Sequence, residues 1–400
     1  MKKRDKLFLL IVATFLSACS SGNQSKDSSD GDGIIRIDPN SRKREKLMLS
    51  EIIDSITYIP LETNDKCLLG TIRRDFIYSD NYILVKNTDF KIYLFDKTGS
   101  FVAQIGDIGL GPGEYLYYDS YLTRIDEQNG QVIITCLNPR RSMYYDFNGK
   151  FIKSIPLPLE DVTGLIEYHK NFYLVKESNY YGMVNYTYTV LDTTFNIITR
   201  KITPVQYSLK DGYMALTNGP SFSQYTYNDQ VYIRENMLND TLYLINSDFS
   251  FVPKYIINSG KYDVTVDIRS DEAFRFIREV KKNRVVLWSM FETDNFLFIL
   301  YEYQNKRIPC YYHKKENKVI HIASSSGILN DFDGGLDFWP EYQNNKELVT
   351  FYDAYQLVEH KKNANQFKLK GDEAAIRRFD QMIRKLEPDD NPVMVIVTLK

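Results

Sequence analysis

The chain is poor in the residues that build metal and redox sites, with 4 histidines and 4 cysteines in 400 residues. His169, His313, His321 and His360 include no pair at metal-ligand spacing, which argues against a zinc or iron centre. Cys19, Cys67, Cys136 and Cys310 are too few for a disulfide framework. Cys136 and Cys310 lie in strand-like stretches and read as buried thiols, while a Cys67–Cys310 bridge stays open. Charge of one sign is also missing: 50 Lys and Arg against 52 Asp and Glu leave a net charge of -2. No basic footprint for nucleic acid follows from that balance. The one long apolar run, residues 7–16, is too short to span a bilayer. There is no G-x-S-x-G elbow, and Ser324–Gly327 reads as a turn. Asp331-Phe332-Asp333-Gly334-Gly335 lacks the ligand series of a calcium loop. No catalytic constellation, cofactor motif or metal site emerges.

What is abundant is aromatic, with 31 Tyr and 23 Phe. Together with β-branched residues these suit half-buried pleated surfaces and predict a β-rich body. Residues 80–115 supply the unit: strands at 82–86, 91–96 and 101–105, polar turns between them, and a glycine-rich exit at 106–114. Weaker copies begin near Asn81, Gly130, Asn171, Asp229, Asn295 and Lys346. A spacing of roughly 40–65 residues belongs to radial or solenoid arrays. The exit resembles a phosphate loop only superficially. No Lys-Ser/Thr follows it, and its glycines fit a sharp turn whose bend Pro112 fixes.

Residues 1–19 combine a basic start, an apolar core and small residues, the pattern of a secretory signal. Leu16-Ser17-Ala18-Cys19 resembles the lipobox of bacterial lipoproteins, which implies lipidation of Cys19 and attachment to a membrane of the cell envelope. Residues 20–48 read as a flexible tether, with 34–38 able to form a short edge strand, and 49–400 as the folded domain. Residues 270–284 and 372–386 carry helical signals, the second with Ile376, Phe379, Ile383 and Leu386 on one face.

The sixth copy, at 346–350, lacks its own neighbouring second and third strands. Residues 393–399 and 55–61 can fill those places, so that one strand from each end of the chain closes a ring. The predicted architecture is an all-β, six-bladed β-propeller with two inserted helices. Its first strands are expected at 69–77, 117–125, 165–168, 222–227, 286–291 and 336–341. Asp96-Lys97-Thr98-Gly99, the glycine-rich exit, Pro60-Leu61-Glu62-Thr63 and Asn391-Pro392-Val393 resemble the six-bladed propeller lipoproteins of the bacterial envelope, distant relatives of NHL-repeat propellers. The resemblance implies fold and address more than mechanism.

In such a ring the loops joining second to third strands, and one blade to the next, open on a common face. That geometry gathers Asn138, Arg140, Arg141, Tyr180, Tyr181, Asn236, Asn239, Asp240 and Tyr355 as a candidate ligand or partner face. Arg73 and Arg74 are expected on an innermost strand, and Trp339 on that of the last blade. Arginine and aromatic side chains suit carboxylates, sugars or peptide anchors. The first functional expectation is a non-catalytic module binding a protein or small molecule. The alternatives are a propeller lyase or hydrolase acting on a carbohydrate or lactone, and a structural subunit of an envelope complex.

Overall fold

The computed structural model describes residues 33–400, apart from 71, 73–75, 116–120, 138–139, 158–164, 170, 178–182, 209–223, 235–239, 270–272, 364–368 and 372. Residues 1–19, read as a secretory signal, and Cys19 therefore lie outside the described residues, as do Arg73, Arg74, Asn138, Tyr180, Tyr181, Asn236 and Asn239.

The described chain is mostly strand and forms a propeller arrangement of antiparallel meanders. Sheet A holds Ile77–Tyr78, Tyr82–Lys86, Ile92–Asp96 and Phe101–Gln104. Sheet B holds Tyr121–Asp126, Gln131–Leu137, Arg140–Asp146 and Phe151–Pro156, and sheet C holds Leu165–His169, Phe172–Lys176, Tyr186–Leu191 and Ile197–Ile202. Sheet D runs Val286–Glu292, Phe296–Tyr303, Lys306–His313 and Lys318–Ile322, with Arg44–Glu45 added at its edge. Four sheets of blade size thus stand separately, where six were expected. Apart from a short parallel pair, Asp107–Ile108 with Glu114–Tyr115, the remaining strands merge into one nine-stranded sheet, E.

Sheet E has two halves. One runs Gln224–Tyr227, Gln230–Arg234, Thr241–Ile245 and Phe251–Asn258, with Ile34–Arg36 outermost. The other runs Tyr342–Asn344, Glu347–Tyr352, Val393–Leu399 and Ile53–Pro60. A single parallel pairing, Thr226 with Asn344, joins them. The chain's two ends meet in the second half, where Val395 lies between Thr350 and Tyr58.

The recurring turn has a local cause. Asp96 Oδ1 accepts from the amides of Thr98 (2.8 Å) and Ser100 (3.0 Å), and Asp146 and Asp192 repeat the arrangement in sheets B and C. Such an Asx turn lets the side chain do the work of a backbone hydrogen bond. Gly99 and Gly149 sit in these turns at φ +88° and +80°. A Cβ there would stand 2.1 Å from the Pro60 carbonyl oxygen and 2.0 Å from that of Gln104. Each turn therefore seats against the outer strand of the preceding sheet.

At the closing seam three sequence motifs come together. The Glu62 amide donates to the Gly99 carbonyl (2.8 Å), and Glu62 Oε2 accepts from the Phe101 amide (2.7 Å). Asn391 receives the Leu69 amide (2.9 Å) and donates to the carbonyls of Glu62 (2.7 Å) and Cys67 (2.6 Å). Cys67, Cys136 and Cys310 are buried and unbridged.

Several sequence expectations change. The fold engages residues 33–48, which were assigned to the tether: Ile34–Arg36 pairs in parallel with Ile256–Asn258, and Arg44–Glu45 with His321–Ile322. Among the described residues the first inner strand is Ile77–Tyr78, preceded by a single bridge from Ile72 to Asn87, and Cys67 and Leu69 are buried in the connection before it. The last is Tyr342–Asn344, and residues 336–341 form its approach. Helices α1 (Ala273–Asn283) and α3 (Glu373–Ile383) occupy the two predicted segments. Phe379, Ile383 and Leu386 are buried as their spacing requires, with Ile376 half-buried. A third helix, α2 (Ala354–Asn363), was not anticipated. Its signal was present: Asp353 precedes it, and the Gln356 side chain accepts from the Asp353 amide (3.3 Å), half of a capping box.

Candidate binding face

The two ends of the arrangement differ in loop length, and length decides what a loop can carry. First-to-second strand turns have two to four residues, and the third-to-fourth turns of sheets A to D and the first half of E have four or five. On the opposite end, strand-two-to-three connections run from two residues to the forty between Tyr352 and Val393. Sheet-to-sheet connections there run from eight to twenty-seven. Long surface loops on a rigid scaffold are where binding residues accumulate.

The short-turn end is stitched shut by its own side chains. Glu127 of sheet B accepts from Ser79 Oγ (2.6 Å), the Asn81 amide (2.9 Å) and Asn81 Nδ2 (2.6 Å) of sheet A. These hydrogen bonds hold its carboxyl below the usual range against the opposing effect of burial. Between sheets D and E, Glu292 is 2 % exposed and accepts from Tyr225 (2.9 Å), Tyr255 (3.3 Å) and Lys314 Nζ (2.5 Å). Gln343, fully buried, takes the Glu292 amide (2.8 Å) and donates to its carbonyl (2.6 Å). Asn345 and Asp229 exchange two more hydrogen bonds across sheet E. Sequence reasoning missed this network, because its members lie up to 118 positions apart (Tyr225 to Gln343) and become neighbours only through the ring.

At the long-loop end the predicted site residues are engaged separately. Arg141 Nη2 donates to the Glu114 carbonyl (2.9 Å), tying sheet B to the glycine-rich turn. In that turn the Gly111 amide donates to the Glu114 side chain (2.7 Å), so the loop closes on its own acid. Arg140 is half-buried at the start of its strand. Asp240 pairs with Arg234 (3.2 Å), itself 1 % exposed. Burial drives the Asp240 carboxyl up to about 6 despite the attraction of Arg234. Trp339 lies before the last inner strand rather than on it. Its ring meets Phe298 edge-on at 6.2 Å, and Nε1 donates to Ser289 (3.2 Å). Tyr355, in the first turn of α2, is 59 % exposed. Among the described residues no hydrogen bond or ring contact joins any two of these side chains.

The Asp331–Gly335 stretch folds inward. Asp331 accepts from Ser50 N (2.9 Å) and Oγ (2.7 Å), and Asp333 Oδ1 from Tyr58 (3.2 Å), Asn330 (2.9 Å) and Gly335 N (3.0 Å). Burial raises the Asp333 carboxyl. Among the described residues no group of three or more His, Cys, Asp or Glu is placed to share a metal ion.

Two histidines, His321 buried and His169 half-buried, make stability pH-dependent. The Tyr301 hydroxyl lies 2.7 Å from His321 Nε2, and burial first, then the charge of Arg44, lowers His321 to about 4. Burial alone lowers His169 to about 4. Both groups charge more easily unfolded, so their contribution is complete above the unfolded value of about 6.5 and declines as pH falls toward 4. Asp240, shifted upward, acts in the opposite sense between about 6 and its unfolded value near 4. Asp333, also raised by burial, acts with Asp240. The contribution of His321 is therefore read by substitution: between pH 7.5 and pH 4.5 the parent is expected to lose about 2 kcal/mol more in urea unfolding than His321→Gln does. A profile unchanged by that substitution would show that His321 does not titrate in this window.

Solved structures of similar shape exist. A Bacteroides fragilis protein described provisionally as exported matches at 19% identity with a TM-score of 0.64, over 92% of this chain and 99% of that one. A Bacteroides vulgatus member of the DUF4221 family matches at 11% identity and a TM-score of 0.49, over 90% and 99%. The Dos1 propeller matches at 9% identity and a TM-score of 0.36, over 64% and 59%. At such identities the first likeness is one of fold alone, and the two lower scores carry no argument. No curated protein matches the chain. The model of a domain of unknown function, DUF4934, matches residues 33–398, and the chain belongs to that family.

Proposed function

We propose that the chain is a lipid-anchored envelope propeller of six blades that works as a non-catalytic binding module, presenting its long-loop end to a protein or small ligand. Counting the two halves of sheet E as blades sharing one edge gives six. Supporting that count, hydrophobic clusters fill the spaces between the second half of E and A, A and B, C and the first half of E, that half and D, and D and the second half. The envelope address is supported by the motif ending at Cys19 and by the exported relative.

The observation that carries the binding reading is the asymmetry of loop length: one end has turns of two to five residues, the other connections of up to forty residues that carry the helices. Exposed Tyr355 on α2 is the kind of aromatic that anchors a partner. A photo-crosslinking residue at Tyr355 is expected to capture a partner in intact cells. The same residue at Asp80, exposed in a short turn of the other end, should capture about tenfold less, as fits a hot spot worth more than ~1 kcal/mol. Equal capture from both ends would defeat the reading.

A further inference from the structure

We propose that the outer strands of sheets B and C and of the first half of sheet E form a rim that rests on an anionic lipid surface, holding the anchored chain edge-on. This orientation rests on the lipid-anchor reading, while the chemistry of the rim stands apart from it. Of the twelve large hydrophobic side chains exposed among the described residues, seven lie on these three strands: Ile152, Ile155, Ile197, Ile198, Ile202, Val252 and Ile256. That concentration is what a monomeric soluble surface avoids and an interaction surface shows.

The same strands carry Lys153, Arg200, Lys201 and Lys254, and their sequences, FIKSIP, IITRKI and FVPKYIIN, contain no acid. Cations interleaved with aliphatic side chains match an interface of anionic headgroups over acyl chains. Lysine on an edge strand also discourages strand pairing, but that role does not call for exposed isoleucines beside it. The other outer strands differ. Lys318–Ile322 is partly covered by Arg44–Glu45, as Phe251–Asn258 is by Ile34–Arg36 at Ile256–Asn258, but it exposes no large hydrophobic side chain, and Ile53–Pro60 backs onto α3, where Tyr58 packs against Phe379. Phe101–Gln104 exposes no large hydrophobic side chain.

The path of the chain argues for a membrane over another occupant. The described chain begins at Gly33, whose carbonyl accepts from the Ile256 amide (2.9 Å), so it enters on the rim itself, beside Lys254. Thirteen residues, 20–32, separate Gly33 from Cys19. Fully extended they reach at most roughly 50 Å. A lipid on Cys19 therefore keeps this rim near the bilayer.

The test uses the full chain with vesicles of phosphatidylcholine alone or with phosphatidylglycerol, the lipids carrying a headgroup quencher. A fluorophore is placed at Ile198→Cys or, as control, at Asp80→Cys; Cys67, Cys136 and Cys310 are fully buried and leave the introduced thiol reactive. Quenching at position 198 should exceed that at 80 by about fivefold on phosphatidylglycerol vesicles. Combining Lys153→Glu, Lys201→Glu and Lys254→Glu should bring the two positions level. Equal quenching in the unaltered background overturns the rim. So does a label shielded without vesicles in a chain that sediments as a dimer, which would assign the strands to a second copy. The mass of the N-terminal peptide reports lipid on Cys19 independently. A chain carrying Cys19→Ser, with neither lipid nor a second exposed thiol, still tests the rim when added to the same vesicles.

Discussion

Val395→Asp is expected to abolish folding. Val395 is fully buried at the middle of the C-terminal strand, with Thr350 on one side and Tyr58 of the N-terminal strand on the other. Burying a carboxylate there without a partner costs several kcal/mol, and losing the valine adds about 1.5–3 kcal/mol. A domain stable by ~5–15 kcal/mol has little left after that. The damage is not local, because this strand holds both ends of the chain in one sheet. Without it Ile53–Pro60 loses its only antiparallel neighbour among the described strands. Far-ultraviolet circular dichroism and limited proteolysis should report an unfolded or insoluble chain. Val252→Asp, on a 39 %-exposed outer position, should change stability by less than ~0.5 kcal/mol. A Val395→Asp protein melting within a few degrees of the parent would show that the seam is not what closes the fold.

Arg234→Ala should cost about 3–5 kcal/mol, the range for removing one partner of a buried ion pair. Three sheets meet at this residue. Its Nη1 pairs with Asp240, its Nη2 donates to the Leu287 carbonyl of sheet D (3.0 Å), and its own carbonyl accepts from Tyr188 of sheet C (2.9 Å). Without the guanidinium, burial acts on Asp240 unopposed and its carboxyl moves further up. The loss should then be larger at pH 7.5 than at pH 5, where the acid is neutral. Pairing Arg234→Ala with Asp240→Asn should recover part of it, in a double-mutant cycle read by urea unfolding. A loss under ~1 kcal/mol, or one independent of pH, would mean that the pair is solvated and structurally idle.

Much of the fold was written locally. The Asp-x-Thr-Gly and Asp-x-Asn-Gly turns of sheets A and B, at Asp96 and Asp146, announce themselves because each side chain bonds its own next few amides. The signal fades in the first half of sheet E, where Asn246 and Asp248 share the turn and Phe249 takes the positive φ (62°). The inner strands were less legible. Strand character extends through residues 69–77, yet among the described residues the chain pairs only at Ile77–Tyr78 and through a single bridge from Ile72 to Asn87, with Cys67 and Leu69 buried at the seam instead. Helix α2 was overlooked because, among its described residues, only Ala354 and Leu357 are fully buried, with Val358 half-buried beside them, too thin a stripe for periodicity to reveal.

The candidate site divides in the same way. Asp240 and Arg141 are polar loop-end residues in sequence, and nothing nearby in the chain signals that Arg234 and the Glu114 carbonyl already hold them. The network of Glu292, Gln343 and Tyr225 left no motif at all. The sequence by itself determined the strand-rich class, the repeating turn and the pairing of the two chain ends. Each of these is set by side chains acting on their own neighbours or by alternation along one strand. Only the tertiary structure decided which end of the arrangement is stitched shut, how residues 33–48 are drawn onto the outer edges, and that three outer strands leave their isoleucines exposed. Those depend on contacts between residues tens to hundreds of positions apart, whose energies appear only once the ring has closed.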